Sequence, residues 1–421
     1  MPNALEPLEP RRHLSAGDLD PSFGTGGTVT LRNGTVPTNG TPDTTATLLT
    51  LDHAGRTLVV SSSYTTGQHD DYSRPAAYAL TRLTADGRPD ARFALPSGGA
   101  IPLTPDEVPR KILIDSQDRI YVISEVYVRR YTASGKIDRS YGARGAAETD
   151  NYFGQTVDAT LTADDVLWLL GTTTDDEGPD GAYSYVTRLA ADGVHYRDVE
   201  GSFAANDPST PGNAYDYDTG PGLLRTLPDG SVLAAFDTYN NVYPDNGDPI
   251  VRENGVTAFK FRPNGRVDRT YGSGGRAAYR WIGPVTNDVG DASSAYLAGL
   301  FDDGTVLVRD EPAHAAARHV TLTTAGHQGA NVAFGSAVLQ NANPGEYTFH
   351  RQPDGRRLVF DSNQYTVRRF NANGTHDTTF NHGLALTDVT AIAFGPNNTL
   401  LTTDSGRSDT DSSFVVRRIK L

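Results

Sequence analysis

Residues 260–275, KFRPNGRVDRTYGSGG, and residues 130–145, RYTASGKIDRSYGARG, carry the same residue types at the same spacing. A basic residue is followed five positions later by Gly, then three positions later by Asp, and after three more by Tyr-Gly. Gly adopts the positive φ that tight turns require, and the aromatic residue supplies a large apolar surface. The pattern predicts a tight turn between two strands whose aromatic residue packs against a neighbouring unit.

Copies of this turn recur along the chain, some of them degenerate. Their glycines are Gly17, Gly87, Gly135, Gly193, Gly265, Gly326 and Gly374. A second pattern alternates with the first and also occurs seven times: a turn followed by a short apolar run, as in Gly55-Arg-Thr-Leu-Val-Val. Short apolar runs between turn residues predict strands. Seven units of four strands predict an all-β protein, a seven-bladed β-propeller with four antiparallel strands per blade.

The two ends of the chain complement each other. The last strand, residues 414–421, stops where its own Gly-x-x-Asp turn should begin, and the missing turn stands at Gly17–Gly24. We therefore expect Thr28–Leu31 to form the outer strand of the seventh blade and to close the ring, which removes free sheet edges. Residues 16–421 are predicted to be one propeller, and residues 1–15 a flexible segment.

We expect the charged residues of the turn pattern to have a structural role, because a residue repeated around a ring is rarely catalytic. We expect ion pairs that fix turns or join blades. The basic positions include Arg82, Arg130, Arg188, Arg369 and Arg418, and the acidic positions are Asp20, Asp90, Asp138, Asp268 and Asp377.

Composition excludes several classes of function. The chain of 421 residues has 37 basic and 51 acidic residues, a formal charge of −14, which argues against nucleic acid or an anionic membrane as partner. It has no Cys, so disulfides, thiolate metal sites and cysteine nucleophiles are excluded. It contains no apolar run long enough for membrane insertion, no phosphate-binding loop and no Gly-x-Ser-x-Gly nucleophile motif. We expect a monomer.

Function is expected where the repeats differ. With the strands of a blade labelled A to D from the axis outward, the tight A–B and C–D turns share one face of the ring. The long B–C and D–A connections share the other, which we call the loop face. Its acidic, Tyr- and Asn-rich inserts include residues 64–76, 173–182, 205–221 and 239–254. The candidate ligand-binding residues are Tyr64, Asp70, Asp71, Asp175, Asp176, Tyr215, Asp216, Asp218, Tyr239 and Asp245.

These residue types suit two kinds of ligand. Carboxylate and carbonyl oxygens suit Ca²⁺, and Asp216 and Asp218 have the alternating spacing of the first half of a calcium loop, without its later Glu. Tyr with carboxylates suits a sugar or a peptide through stacking and charge-assisted hydrogen bonds. A solvated loop with local Asx-turns is the structural alternative.

The units at Gly17–Gly27 and Gly265–Gly275 resemble the bacterial delta-60 repeat, a family of secreted or envelope proteins with propeller-like domains. Residues 8–16, LEPRRHLSA, resemble the LEPR-XLL segment of large exported bacterial proteins. These resemblances imply a secreted or cell-envelope protein and assign no catalytic residue. Residues 1–15 lack the basic and apolar regions of a secretory signal, so a proline-rich disordered tail is the alternative.

Two hypotheses follow. The first is a non-enzymatic propeller outside the cell or in its envelope, which presents the loop face to a protein or carbohydrate. The alternative is a calcium-dependent hydrolase or lyase with its site at the axial mouth of the ring.

Overall fold

A computed structural model describes most of the chain. The described residues are 16–32, 43–64, 77–95, 100–104, 107–149, 155–174, 182–197, 199, 214–243, 251–284, 293–312, 315–332, 347–405 and 413–421. They form seven antiparallel sheets arranged as the blades of a ring, so the prediction of a seven-bladed β-propeller is confirmed. No helix of the described residues is long and apolar enough to cross a membrane.

The first three blades each contain four strands, which follow one another from the axis outward. The first strand in the chain, β1 (Thr28–Arg32), belongs to the last blade. Blade 1 contains β2 (Asp43–Leu51), β3 (Thr57–Tyr64), β4 (Ala77–Leu83) and β5 (Ala100–Leu103). Blade 2 contains β6 (Pro109–Ile114), β7 (Ile120–Ser124), β8 (Tyr127–Tyr131) and β9 (Ala146–Glu148). Blade 3 contains β10 (Gln155–Leu161), β11 (Leu167–Thr174), β12 (Ala182–Leu189) and β13 (Tyr196–Arg197).

The remaining blades differ more in strand length. Blade 4 contains β14 (Ala214–Thr226), β15 (Val232–Tyr243), β16 (Val251–Phe261) and β17 (Arg276–Pro284). Blade 5 contains β18 (Ser294–Leu300), β19 (Val306–Glu311), β20 (Arg318–Leu322) and β21 (Gln328–Asn331). Blade 6 contains β22 (Tyr347–Arg351), β23 (Arg357–Asp361) and β24 (Thr366–Phe370), and blade 7 contains β25 (Val389–Gly395), β26 (Thr399–Ser405), β27 (Ser413–Lys420) and β1.

Blade 6 has only a remnant of a fourth strand, because a single bridge joins Leu386 to Val367. A short 3-10 helix, Phe380–Gly383, precedes this bridge, and Asn381 and His382 adopt positive φ within it. This left-handed backbone interrupts the extended conformation that a longer outer strand would need.

The ring closes where its two ends meet. Strand β1 pairs with β27 in antiparallel register, from Thr28 opposite Arg417 to Arg32 opposite Ser413. Leu19 also bridges to Ile419 in β27. The predicted closure by an N-terminal strand is therefore confirmed.

The core lies between the blades. Seven apolar clusters are buried, one at each interface between neighbouring blades. The aromatic residues of the turn pattern contribute to this packing, and all five are at most 2% exposed. They are Phe23, Phe93, Tyr141, Tyr271 and Phe380. Burial of such rings supplies much of the apolar stabilisation of the ring.

The charged residues of the turn pattern join one blade to the next. In blade 1, Arg82 Nε donates to Asp90 Oδ2 at 2.9 Å, and another guanidinium nitrogen donates to the carbonyl of Ala133 in blade 2. The Arg82 guanidinium also lies 4.3 Å from the centre of the Phe93 ring. Equivalent ion pairs join Arg130 to Asp138 at 2.8 Å, Arg369 to Asp377 at 2.7 Å and Arg418 to Asp20 at 2.9 Å.

Two copies depart from this arrangement. Lys260 pairs with Asp229 at 2.8 Å instead of with Asp268, and its single ammonium does not have the planar, two-directional donor geometry of an arginine. Arg188, whose copy has no Asp, donates to the backbone carbonyls of Pro263 and Asn264 in blade 4, at 2.9 and 2.6 Å. Arg188 therefore keeps the contact to the next blade that Arg82 also makes, although it has no turn aspartate to pair with.

Candidate functional site

The ten candidate residues of the loop face divide into two groups. Five of them lie outside the described residues: Asp70, Asp71, Asp175, Asp176 and Asp245. The other five have a described backbone, and all lie in strands: Tyr64 ends β3, Tyr215, Asp216 and Asp218 belong to β14, and Tyr239 belongs to β15. Four of these five residues therefore belong to blade 4.

Blade 4 is longer than the sequence predicts. Residues 205–221 and 239–254 were expected to be inserts, but β14 begins at Ala214, β15 continues to Tyr243 and β16 begins at Val251. The stretch Ala-Tyr-Asp-Tyr-Asp-Thr at 214–219 alternates with a period of two, which fits an extended strand even though its residues are polar. We call residues 214–219, 238–243, 251–255 and 280–284 the blade 4 extension.

Strand register sorts the candidates onto the two sides of this extension. Asp218, Tyr239, Asn254 and Trp281 stand opposite one another across the four strands. Asp216 lies two positions away from Asp218, so the same side of the sheet also carries Asp216. Tyr215 falls on the other side. Register therefore assigns Asp216, Asp218 and Tyr239 to one side of the extension and Tyr215 to the other.

Asn254 shows which way this side faces. It is 2% exposed, and its Nδ2 donates to the carbonyl of Ser293 at 3.3 Å and to Ser294 Oγ at 3.2 Å. Its Oδ1 accepts from the amide of Ala295 at 3.1 Å. Ser294 and Ala295 begin β18, the inner strand of blade 5. The side that carries Asp216, Asp218 and Tyr239 therefore faces blade 5, and we call it the blade 5 side of the extension.

One row deeper on the same side lies a buried carboxyl group. Asp237 is 1% exposed, and its Oδ1 accepts from the amide of Leu297 in β18 at 2.5 Å. Its Oδ2 has no hydrogen-bond partner among the described residues. Burial raises the pKa of Asp237 to about 7, and the hydrogen bond from Leu297 only partly opposes this. A substantial protonated fraction at neutral pH follows from that pKa.

A second buried acid belongs to blade 5. Asp310 Oδ2 accepts from the Tyr279 hydroxyl at 2.7 Å and from Arg318 Nε at 2.6 Å. Tyr279 stands in the same row of blade 4 as Asp237, opposite Val256. Burial, with the neighbouring Asp310, raises the pKa of Tyr279, so its hydroxyl stays a donor. Polar contacts at the base of the extension thus lock blades 4 and 5 together.

Sequence reasoning overlooked Asp237, Asn254 and Asp310, although a signal was present. In four successive blades an aspartate follows the apolar residues of the second strand, either directly or after one or two other residues. These residues are Asp237, Asp310, Asp361 and Asp404, and all four are buried. An acid that recurs after an apolar run marks a buried polar position, and its pairing differs from blade to blade.

The metal prediction remains untested. Within the described residues, no group of three or more His, Asp or Glu side chains is placed to hold a metal ion. Asp216 and Asp218 lie in β14 rather than in a loop, and alternate residues of a strand are about 7 Å apart. A calcium loop instead turns its backbone to bring ligands within about 2.5 Å of one ion. A Ca²⁺ site here would need further ligands from neighbouring segments.

Comparison with known proteins gives structural neighbours only. No protein-family model and no curated protein matches the chain. Virginiamycin B lyase from Staphylococcus aureus is 10% identical with a TM-score of 0.43, over 94% of this chain and 99% of that chain. Polysaccharide lyase Uly1 is 12% identical with a TM-score of 0.45, over 93% and 91%. YCF48 bound to D1 peptide is 9% identical with a TM-score of 0.43, over 97% and 100%. These neighbours include enzymes and a peptide-bound protein, and they favour neither kind of function.

Proposed function

We propose that this protein is a non-enzymatic binding propeller of the cell envelope or exterior, and that the blade 5 side of the blade 4 extension binds a carbohydrate or a protein segment. The observation that carries the proposal is the strand register, which places Asp216, Asp218 and Tyr239 on one side of a sheet. The location outside the cell rests on the resemblance to delta-60 repeat proteins and to the LEPR-XLL segment.

The length of blade 4 supports a binding surface. Strand β14 has 13 residues and β15 has 12, whereas β18 and β19 of blade 5 have 7 and 6. Ser294 is the first residue of β18 and already contacts Asn254, so the Asp216 row lies beyond the end of that strand. The described strands of blade 5 therefore reach Asn254 in the Asp218 row and do not extend to the Asp216 row.

The residue types on this side suit a sugar or an extended peptide. The two upper rows combine carboxylates with Tyr239, Asn241, Arg252 and Trp281. Aromatic rings stack on apolar faces of a ligand, and carboxylates accept hydrogen bonds from hydroxyl or amide groups. The anchored base formed by Asp237 and Asn254 holds the sheet in place, which lowers the entropy lost on binding.

The test is binding of the full chain to immobilised glycans and peptides, followed by affinity measurements on the hits. Asp218→Asn and Tyr239→Ala should each weaken binding at least tenfold, since they remove groups from the proposed surface. Tyr215→Ala is the matched control, because it removes a tyrosine from the opposite side of the same sheet, and it should bind as the wild type does.

Glycan hits would identify a lectin-like role, and peptide hits a protein-interaction role. Equal losses in the Tyr239→Ala and Tyr215→Ala variants, with both folded, would contradict the proposed surface.

A further inference from the structure

Polar contacts join the inner ends of neighbouring blades on the face of the tight turns, opposite the loop face. His53 Nδ1 lies 2.9 Å from Asp118 between blades 1 and 2, and Ser116 Oγ donates to Asp165 at 2.7 Å between blades 2 and 3. Similar contacts follow around the ring. They are Thr160 with Thr226, Arg225 with Asp302, His350 with Asp302, Arg351 with Asp303, and Gln352 with Asn398.

This series is interrupted at the interface between blades 7 and 1. Among the described residues, no polar side-chain contact joins the A–B turn of blade 7, residues 396–398, to that of blade 1, residues 52–56. A cleft of about 660 Å³ lies there instead, and we call it the seam cleft. Its volume falls within the range of small-molecule sites, about 300–1,000 Å³.

A second hollow adjoins the seam cleft at the axis. It has a volume of about 450 Å³ and shares Leu51, His53 and Pro396 with the cleft. Apolar residues at the ends of three inner strands line it, including Ile112, Ile114 and Phe394. The Phe394 ring is held by stacking on His350 with centroids 3.7 Å apart. Asp52 and His53 also line the hollow, so it offers an apolar wall of Leu51, Ile112, Ile114 and Phe394 beside a polar one.

The outer end of the seam cleft is polar. Arg418 is fully engaged there, because its guanidinium donates to Asp20, to Ser22 and to the carbonyl of Ala85. Lys420 is held more loosely: its Nζ lies 3.8 Å from Asp20 Oδ1, and its side chain is 44% exposed. An ammonium in this position can turn toward an anionic group without breaking a short ion pair.

A buried hydroxyl group also lines the seam cleft. Thr57 is 1% exposed, and its Oγ1 has no hydrogen-bond partner among the described residues. A buried hydroxyl without a partner costs about 1–3 kcal/mol, so a polar ligand atom that reached it would be favoured.

From these features we propose that the seam cleft binds an amphiphilic monocarboxylate, such as a medium-chain fatty acid. The carboxylate lies at the Lys420 end, and the apolar tail lies in the hollow lined by Leu51, Ile112 and Phe394. The site is independent of the loop face and does not depend on the function proposed above.

The first test is calorimetric titration of the full chain with hexanoate, octanoate and decanoate. Each methylene buried in the hollow should tighten binding by about fourfold. Affinity that does not change with chain length would overturn the proposal, since the tail would then make no contact.

Two variants test the two ends of the site. Lys420→Gln should weaken decanoate binding roughly three- to fivefold and leave decanol binding unchanged. Lys136→Gln is the matched control, because it removes an exposed lysine from a turn of blade 2 and should change neither. Equal losses in both lysine variants would show a general charge effect and overturn the assignment of the carboxylate.

Ala54→Trp should abolish binding by filling the cleft, because Ala54 is an exposed turn residue that lines it. Ala191→Trp, on an exposed turn of blade 3, is its control and should bind decanoate normally. Both variants should unfold at the wild-type temperature. Undiminished binding by folded Ala54→Trp would place the ligand elsewhere and overturn the proposal.

Discussion

The contact between a turn glycine and the aromatic ring of the preceding blade can be tested by Gly135→Ala. Gly135 has φ +82°, and a Cβ at this position would lie 2.7 Å from Cε2 of Phe93 in blade 1. Gly274 is the matched control: its φ is +65°, and a Cβ there would have no atom within 4 Å. Both substitutions force alanine into left-handed backbone, but only one creates an overlap between blades.

The expected magnitudes differ accordingly. Left-handed backbone costs alanine about 1–2 kcal/mol, and the stiffer unfolded chain returns about 0.4–1 kcal/mol in each variant. Gly274→Ala should therefore destabilise by about 1 kcal/mol. Overpacking adds about 1–3 kcal/mol, because Phe93 is fully buried and cannot move away freely, so Gly135→Ala should cost about 2–4 kcal/mol.

Urea unfolding measures both costs, with the midpoint compared at constant m-value. The double variant Phe93→Leu with Gly135→Ala completes a cycle. The smaller side chain relieves the overlap, so the two changes should cost less together than the sum of their separate costs. Equal midpoints for Gly135→Ala and Gly274→Ala, or strict additivity in the cycle, would refute the proposed contact.

Three further predictions concern charge and metal. Burial alone would raise the pKa of the turn aspartates, but hydrogen bonds and nearby cations outweigh it and lower the pKa of Asp20, Asp90, Asp138, Asp268 and Asp377. The protein should therefore lose stability as pH falls below about 4. Asp138→Asn should make the melting temperature depend less steeply on pH in this acidic range. Burial raises the pKa of Asp237 to about 7, so this group should cost stability progressively as pH rises from about 4 to about 7, and the cost should stay constant above that; Asp237→Asn should stabilise the protein by up to about 4 kcal/mol at pH 8 and by almost nothing at pH 4. If Asp216 and Asp218 hold Ca²⁺, the ion at a hundred times its Kd should add about 2.7 kcal/mol of stability that EDTA and Asp216→Asn remove, whereas an unchanged melting temperature would contradict a metal site.

The fold could be predicted because its repeated residues act locally. Gly135, Asp138 and Tyr141 form one turn, and each is needed by the backbone or the packing of that turn, so the pattern survives in the sequence. Closure of the ring was also visible, since the turn missing after Leu421 stands at Gly17–Gly24. The shortened outer strand of blade 6 could not be predicted. Asn381 and His382 adopt left-handed backbone there, and the sequence contains no glycine or other clear signal for it at these two positions.

The candidate sites were harder to predict for a different reason. The sequence places residues 214–219 in an insert because they fall in the extra length between repeats and are acidic and rich in Tyr. Their alternation also fits a strand, and only the pairing with 238–243 decides between the two. Burial raises the pKa of Asp237, and sequence spacing does not reveal that this side chain is buried.

The seam cleft was even harder to predict from the sequence. Its residues come from both ends of the chain, as Asp20 and Thr57 lie far from Asn398 and Lys420 in sequence. Each belongs to a turn or strand that resembles its counterparts in other blades, and the cleft lies at the interface where the described turns lack the polar contact found at the other interfaces. A repeat protein can therefore acquire a ligand site without any distinctive motif, by the loss of one copy of a repeated contact. In such a fold, function is sought most effectively at the interface where the repeat is broken.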